Sequence, residues 1–185
     1  MRPLGLLAFF LLLCACSQEP ALPSYGLVPV FQLIDQNGQH FDSATALGGK
    51  VWIADFIFTT CAGPCPRMSR QMRQLQQQLR NATDLRFVSF TVDPDRDTPQ
   101  VLSAYARRHG ADLRQWTFLT GPQERLHALA RHAFFLNNVD GSLEHSTRFV
   151  LVDRKSRIRG YYDTSDEQSL NQLAQHARRL LAERW

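Results

Sequence analysis

Two cysteines stand at a place in the chain where thiol chemistry is favoured. Cys61 and Cys65 lie in Phe58-Thr59-Thr60-Cys61-Ala62-Gly63-Pro64-Cys65-Pro66. The preceding run, Val51 to Phe58, is apolar at nearly every position, as in a strand covered on both faces. The following run, Arg67 to about Leu79, has helical spacing. Pro66 suits the first turn of that helix, where a missing N–H costs nothing. Gly63 and Pro64 shape the loop that brings the thiols together. A helix N-terminus offers partial positive charge and free N–H groups, so the spacing predicts thiols that favour the thiolate and are ready to bind metal or exchange disulfides. A purely structural disulfide is the bland alternative. The strand-to-helix placement argues against it.

The chain has four cysteines, and its start accounts for the other two. Met1-Arg2-Pro3 and the apolar run Leu4 to Leu13 read as an export signal, too short for the about 20 residues that span a membrane. Leu13-Cys14-Ala15-Cys16 resembles a bacterial lipobox, with the small Ala15 before Cys16. Cys16 is therefore the expected lipidation site, and Cys14 leaves with the signal. Residues 1–15 are expected to be a lipoprotein signal peptide, 16–25 a lipid-anchored tether with Pro20 and Pro23, and 26–185 one domain. Only Cys61 and Cys65 remain in that domain, which excludes both a disulfide framework and a four-cysteine zinc site. The formal net charge is +4. Arginines are scattered among Asp and Glu without a basic stripe, so no nucleic-acid partner is expected. The mild positive charge is weak support for contact with an anionic membrane surface or an acidic partner.

The elements that must position the thiols follow from periodicity. Val30 to Asp35, the turn Gln36-Asn37-Gly38-Gln39 and the return arm His40-Phe41-Asp42 form a hairpin pattern. After the strand and helix around the cysteines, Leu85 to Val92 is a strand. Thr98 or Asp97 caps a helix that opens with Pro99 and runs to about His109. Trp116 to Thr120 is a short strand, and Gln123 to Phe134 is helical. A strand over Phe149 to Asp153 turns at Arg154-Lys155-Ser156 into Ile158 to Tyr162. Ser169 to Glu183 is a final amphipathic helix. Alternating strands and helices predict an α/β fold, with a central sheet, helices on both faces and an N-terminal hairpin. Sites in such folds sit at the carboxyl ends of strands, where the cysteine loop lies.

Two thiols at a strand-to-helix turn, in an α/β chain ending in a hairpin and helix, resemble a thioredoxin-like fold. Cys61-Ala62-Gly63-Pro64-Cys65 has CxxxC spacing, and Val92-Asp93-Pro94-Asp95-Arg96-Asp97-Thr98-Pro99 is similar to the DPxRDTP signature of the Sco/SenC family. Asp140-Gly141-Ser142-Leu143-Glu144-His145-Ser146, ahead of Leu151-Val152-Asp153, resembles that family's His-Ser segment. The three motifs occur in the family's order from Phe58 to Asp153. Ala62 replaces a usual Pro and Glu144 a frequent Asp, and neither change removes a ligand. The resemblance implies a membrane-tethered copper chaperone that assists assembly of the CuA centre of cytochrome c oxidase. Copper, as Cu(I) or Cu(II), would be held by Cys61, Cys65 and His145. The implied partners are cytochrome c oxidase subunit II or another CuA-type protein, with periplasmic copper carriers or thioredoxin-like reductants. The implied location is that of an exported lipoprotein facing the periplasm or extracytoplasmic space.

Two thiolates and an imidazole form a soft, low-coordinate set that suits Cu(I). Met68 and Met72 fall at helical spacing with Leu75 and Leu79 and are expected in the core rather than on a metal. His40, His109, His127, His132 and His176 are expected to be ordinary solvated histidines. In the acidic loop, Arg96 is expected to pair locally, while Asp93 is a candidate to orient His145 from behind. A thiol–disulfide oxidoreductase acting on CuA-site cysteines or other exported thiol proteins is the alternative, with Cys61 and Cys65 as its redox pair.

Overall fold

The structure is a computed structural model, described here over residues 20–136 and 146–183. Among the described residues, eight strands form one mixed sheet: β1 (Gly26–Leu27), β2 (Gln32–Asp35), β3 (His40–Asp42), β4 (Val51–Ile57), β5 (Leu85–Thr91), β6 (Trp116–Thr120), β7 (Arg148–Val152) and β8 (Arg157–Asp163). Their order across the sheet is β1-β8-β7-β4-β5-β6-β2-β3. β4, β5 and β6 run parallel, and the remaining pairs are antiparallel. The expected N-terminal hairpin is β2–β3, in the register Leu33 opposite Phe41.

The strand periodicity of two divides the core into two layers. Trp52, Ala54 and Phe56 of β4 point to one face with Phe90 and Val150. They pack there with α1 (Ser43–Leu47), α4 (Gln123–Ala128) and the π-helical turn Leu129–Ala133 that continues α4. Val51, Ile53 and Ile57 point to the other face. That layer is covered by α2 (Cys65–Gln78), α3 (Pro99–Arg108) and α5 (Glu167–Ala182). Met68 and Met72 are fully buried in it, as expected of core residues.

This arrangement gives the molecule two poles. β4, β5 and β6 end at the pole where α2 and α3 begin. β7 starts and β8 ends at the same pole, since Ala54 pairs with Val150 and Arg148 with Asp163. The opposite pole gathers the starts of β4 and β5, the β7–β8 turn and the ends of α2, α3 and α5.

Several expectations are corrected. α2 starts two residues early, so Cys65 belongs to its first turn, ahead of Pro66. The helix expected from Gln123 to Phe134 is α at its start and π at its end. Asp42 caps a short α1 by accepting from Ala44 N. The segment up to residue 25 is not wholly a tether. Arg159, buried under it, donates to the carbonyls of Leu22 and Pro23, and Arg179 donates to that of Pro20. β1 then adds to the sheet edge beside β8. At Gly26 a Cβ would lie 2.6 Å from the ring of Phe135, so a larger residue there would displace that exposed ring.

Candidate metal centre

β4 delivers the chain to the cysteine pole, and Asp97 holds the turn that follows. Its buried carboxylate accepts from Thr59 N (3.1 Å), Thr59 Oγ1 and Thr91 Oγ1. Thr91 ends β5, so one side chain ties the start of the cysteine loop to the neighbouring strand. Asp97 was expected as a possible helix cap. That role falls to Thr98, which accepts from Val101 N, because Asp97 points inward instead.

From Phe58 the backbone turns at once, with Cys61 N donating to the Phe58 carbonyl at 3.2 Å. Cys61 is half-buried and Cys65 fully buried, and both are thiols. The Cys65 side chain interacts with the backbone of Phe58 and with the Cys61 side chain. The spacing therefore does bring the two sulfur groups together. The expected thiolate preference is corrected for Cys65. Burial pushes its thiol up, more strongly than the Phe58 backbone bond pulls it down, and the Cys61 side chain and nearby Asp55 add to the rise. The helix N-terminus is present, but desolvation of the charge is the larger effect.

Asp55 carries a signal that the apolar reading of β4 passed over. It is the one acid within Val51–Phe58 and is fully buried on the α2 face. Ser89 Oγ donates to its Oδ1 at 2.6 Å, and Ser89 itself accepts from Trp116 Nε1. No hydrogen-bond partner reaches Oδ2 among the described residues. Burial raises its carboxyl to about 7, against the smaller lowering effect of Ser89.

Asp93 is buried and paired with Arg96 at 2.9 Å, as the local pairing expectation required. His145 lies outside the described residues, and so does any contact between it and Asp93. Cys16 lies outside them too. Among the described residues, no three side chains of His, Cys, Asp or Glu are grouped to hold a metal. Of the remaining histidines, His109 lies tilted against the Tyr105 ring, with centroids 4.3 Å apart, and His176 bonds to Tyr162 Oη, so both make contacts within the fold.

A mixed sheet with helices on both faces, opening a helix on a dithiol, defines a thioredoxin-like protein. A family model, SCO1/SenC, matches residues 21–182, and the chain belongs to that family. It is 35% identical over 156 residues to the SCO1 protein homolog of Bacillus subtilis, covering 80% of each chain. It is 37% identical over 149 residues to a putative copper-binding protein of Stutzerimonas stutzeri, covering 76% of this chain and 71% of that one. Among solved structures, a SCO1/SenC family lipoprotein from Bacillus anthracis superposes with a TM-score of 0.76 at 31% identity. The match covers 85% of this chain and 95% of that one. BsSco, described as carrying a disulfide switch and as a member of the Sco family of cytochrome c oxidase assembly proteins, superposes with a TM-score of 0.77 at 28% identity. That match covers 91% and 100% of the two chains.

Proposed function

We propose that this protein binds copper as cargo through Cys61, Cys65 and His145 and delivers it to a CuA-type centre of cytochrome c oxidase. The observation that carries this reading is the contact between the two thiols, one solvent-accessible and one buried in the first turn of α2. Two sulfur donors on a short loop suit Cu(I), and an imidazole would extend the set to Cu(II). The start of β7 beside the end of β4 supports including His145, which stands three residues before Arg148. The family, the putative copper-binding relative and the oxidase-assembly description of BsSco point the same way. Cys16 is the proposed lipid attachment, supported by the lipobox-like sequence and by the lipoprotein relative. Asp93 is the proposed support for His145, from its place at the end of β5.

The adjacency of the thiols also favours a second reading, a thiol–disulfide oxidoreductase. In that reaction the Cys61 sulfur attacks a partner disulfide and releases one partner thiol. Cys65 then displaces the second partner thiol, leaving the Cys61–Cys65 disulfide and a partner reduced by two electrons. His145→Ala separates the two readings. Metal delivery predicts loss of Cu(II) absorption and weaker Cu(I) retention against a chelator, while disulfide exchange with a model oxidant persists. Unchanged affinity for both copper states would remove His145 from the site and favour the reductase.

A further inference from the structure

The scattered arginines of the sequence gather in the fold. At the pole opposite the cysteines, α2 ends near Arg80, α3 at Arg108, the β7–β8 turn at Lys155 and α5 near Arg178. All four side chains are exposed, and none belongs to an ion pair with a described residue. The acids of this pole are already engaged. Asp84 holds Lys50 and Arg154, Asp112 holds Arg114, Asp153 holds Arg157 and Arg159, and Glu183 lies 4.0 Å from Arg179. The cysteine pole is mixed in sign, with Asp93, Asp95, Asp163, Asp166 and Glu167 beside Arg67, Arg96 and Arg148.

The chain's anchored end emerges at the basic pole. Pro20 is bonded to Arg179 in the last turns of α5, and only three residues lie between it and Cys16. The four Cα-to-Cα steps from Cys16 to Pro20 reach at most about 14 Å, which holds this pole close to whatever anchors Cys16. Leu113, 40% exposed beside Arg114, offers an apolar tip at the same pole.

We propose that the basic pole lies flat on an anionic lipid surface, and that this contact orients the domain with its cysteine loop pointing away from the bilayer. β4 alone sets the loop about 20 Å further out. The proposal rests on the lipid attachment at Cys16 for its geometry, and on the charges alone for its affinity. Basic side chains next to anionic headgroups gain attraction that falls off within a Debye length. An acidic protein is the competing occupant. The short span to the anchored end favours the lipid, because it holds the pole at the membrane from the start.

The test is amide hydrogen exchange of the full lipidated chain in vesicles of phosphatidylcholine, with or without phosphatidylglycerol. On phosphatidylglycerol, exchange in segments 80–86, 110–115 and 153–157 is expected to slow, and to recover in high salt, while 59–63 and 94–98 stay unchanged. The triple variant Arg80→Gln, Lys155→Gln, Arg178→Gln should lose about a hundredfold in affinity for the anionic surface, at about fivefold per charge removed. Protection that is absent on phosphatidylglycerol, equal on both vesicles, or confined to the cysteine pole would overturn the proposal. So would protection by soluble polyglutamate but not by the anionic lipid. Retention on neutral vesicles reports the lipid at Cys16 alone. A chain lost from them refutes that attachment, while salt-reversible binding to phosphatidylglycerol still decides the pole.

Discussion

Asp97 shows how one side chain shapes the cysteine loop without touching sulfur. It is the shared acceptor for two donors of Thr59 and one of Thr91. Asp97→Ala leaves those donors buried and unpaired, with an expected loss of about 3 kcal/mol in urea unfolding and a matching loosening of copper binding. A loss under about 1 kcal/mol would show that the loop holds itself. Asp55 acts in the opposite sense. Its folded carboxyl is raised to about 7, so it is charged less readily in the folded than in the unfolded protein. Its stabilising, protonated form is fully present below about pH 4, and stability is lost as pH rises from there through 7. Asp55→Asn keeps an acceptor for Ser89 and removes the charge, so it should raise stability by about 2 kcal/mol at pH 8 and change little at pH 4. Urea midpoints at the two pH values check this, and an equal effect at both would contradict it. Cys61 and Cys65 were legible as a pair from spacing alone. The protonation of Cys65 was not, because the burial that sets it comes from packing of the whole α2 layer.

At the level of elements, strands and long helices followed their periodicity. β4, β5, β7 and α5 carry clear apolar patterns and were readable. β1 has only two residues, and nothing in its composition marks it as a strand. Its partner is the edge of β8, a contact more than a hundred residues away in sequence. The same holds for residues 20–25, which the sequence suggested as part of a lipid-anchored tether. The carbonyls of Leu22 and Pro23 are captured by Arg159, which is 6% exposed and also bonds Asp153 Oδ2 at 2.8 Å. A buried cation in β8 is the trace this leaves in the sequence, but its partner cannot be read there. Arg159→Met keeps the stem's bulk and removes the donors. It strips the carbonyls of Leu22 and Pro23 and leaves Asp153 with Arg157 and the Lys155 amide. The expected outcome is a loss of about 3 kcal/mol and rapid proteolysis within residues 20–25. Unaltered proteolysis would mean that β1 alone holds the segment down.

Across the whole molecule, the fold class was legible because strand–helix alternation and three ordered motifs agree on one topology. The gathering of basic side chains at one pole was not. Lys155, Arg178 and Arg80 are far apart in sequence and meet only once α2, α5 and the β7–β8 turn end on the same side. The resulting molecule holds its dithiol at one end, while the Pro20 carbonyl is bonded to Arg179 towards the other. The central claim is that the reduced cysteine pair is the copper ligand. A disulfide offers no thiolate, so oxidation must abolish the site. The direct measurement is Cu(I) titration of the reduced and the oxidised protein against a competing chelator. One copper should be retained per reduced chain and none by the disulfide form. Equal retention by both forms would contradict the account.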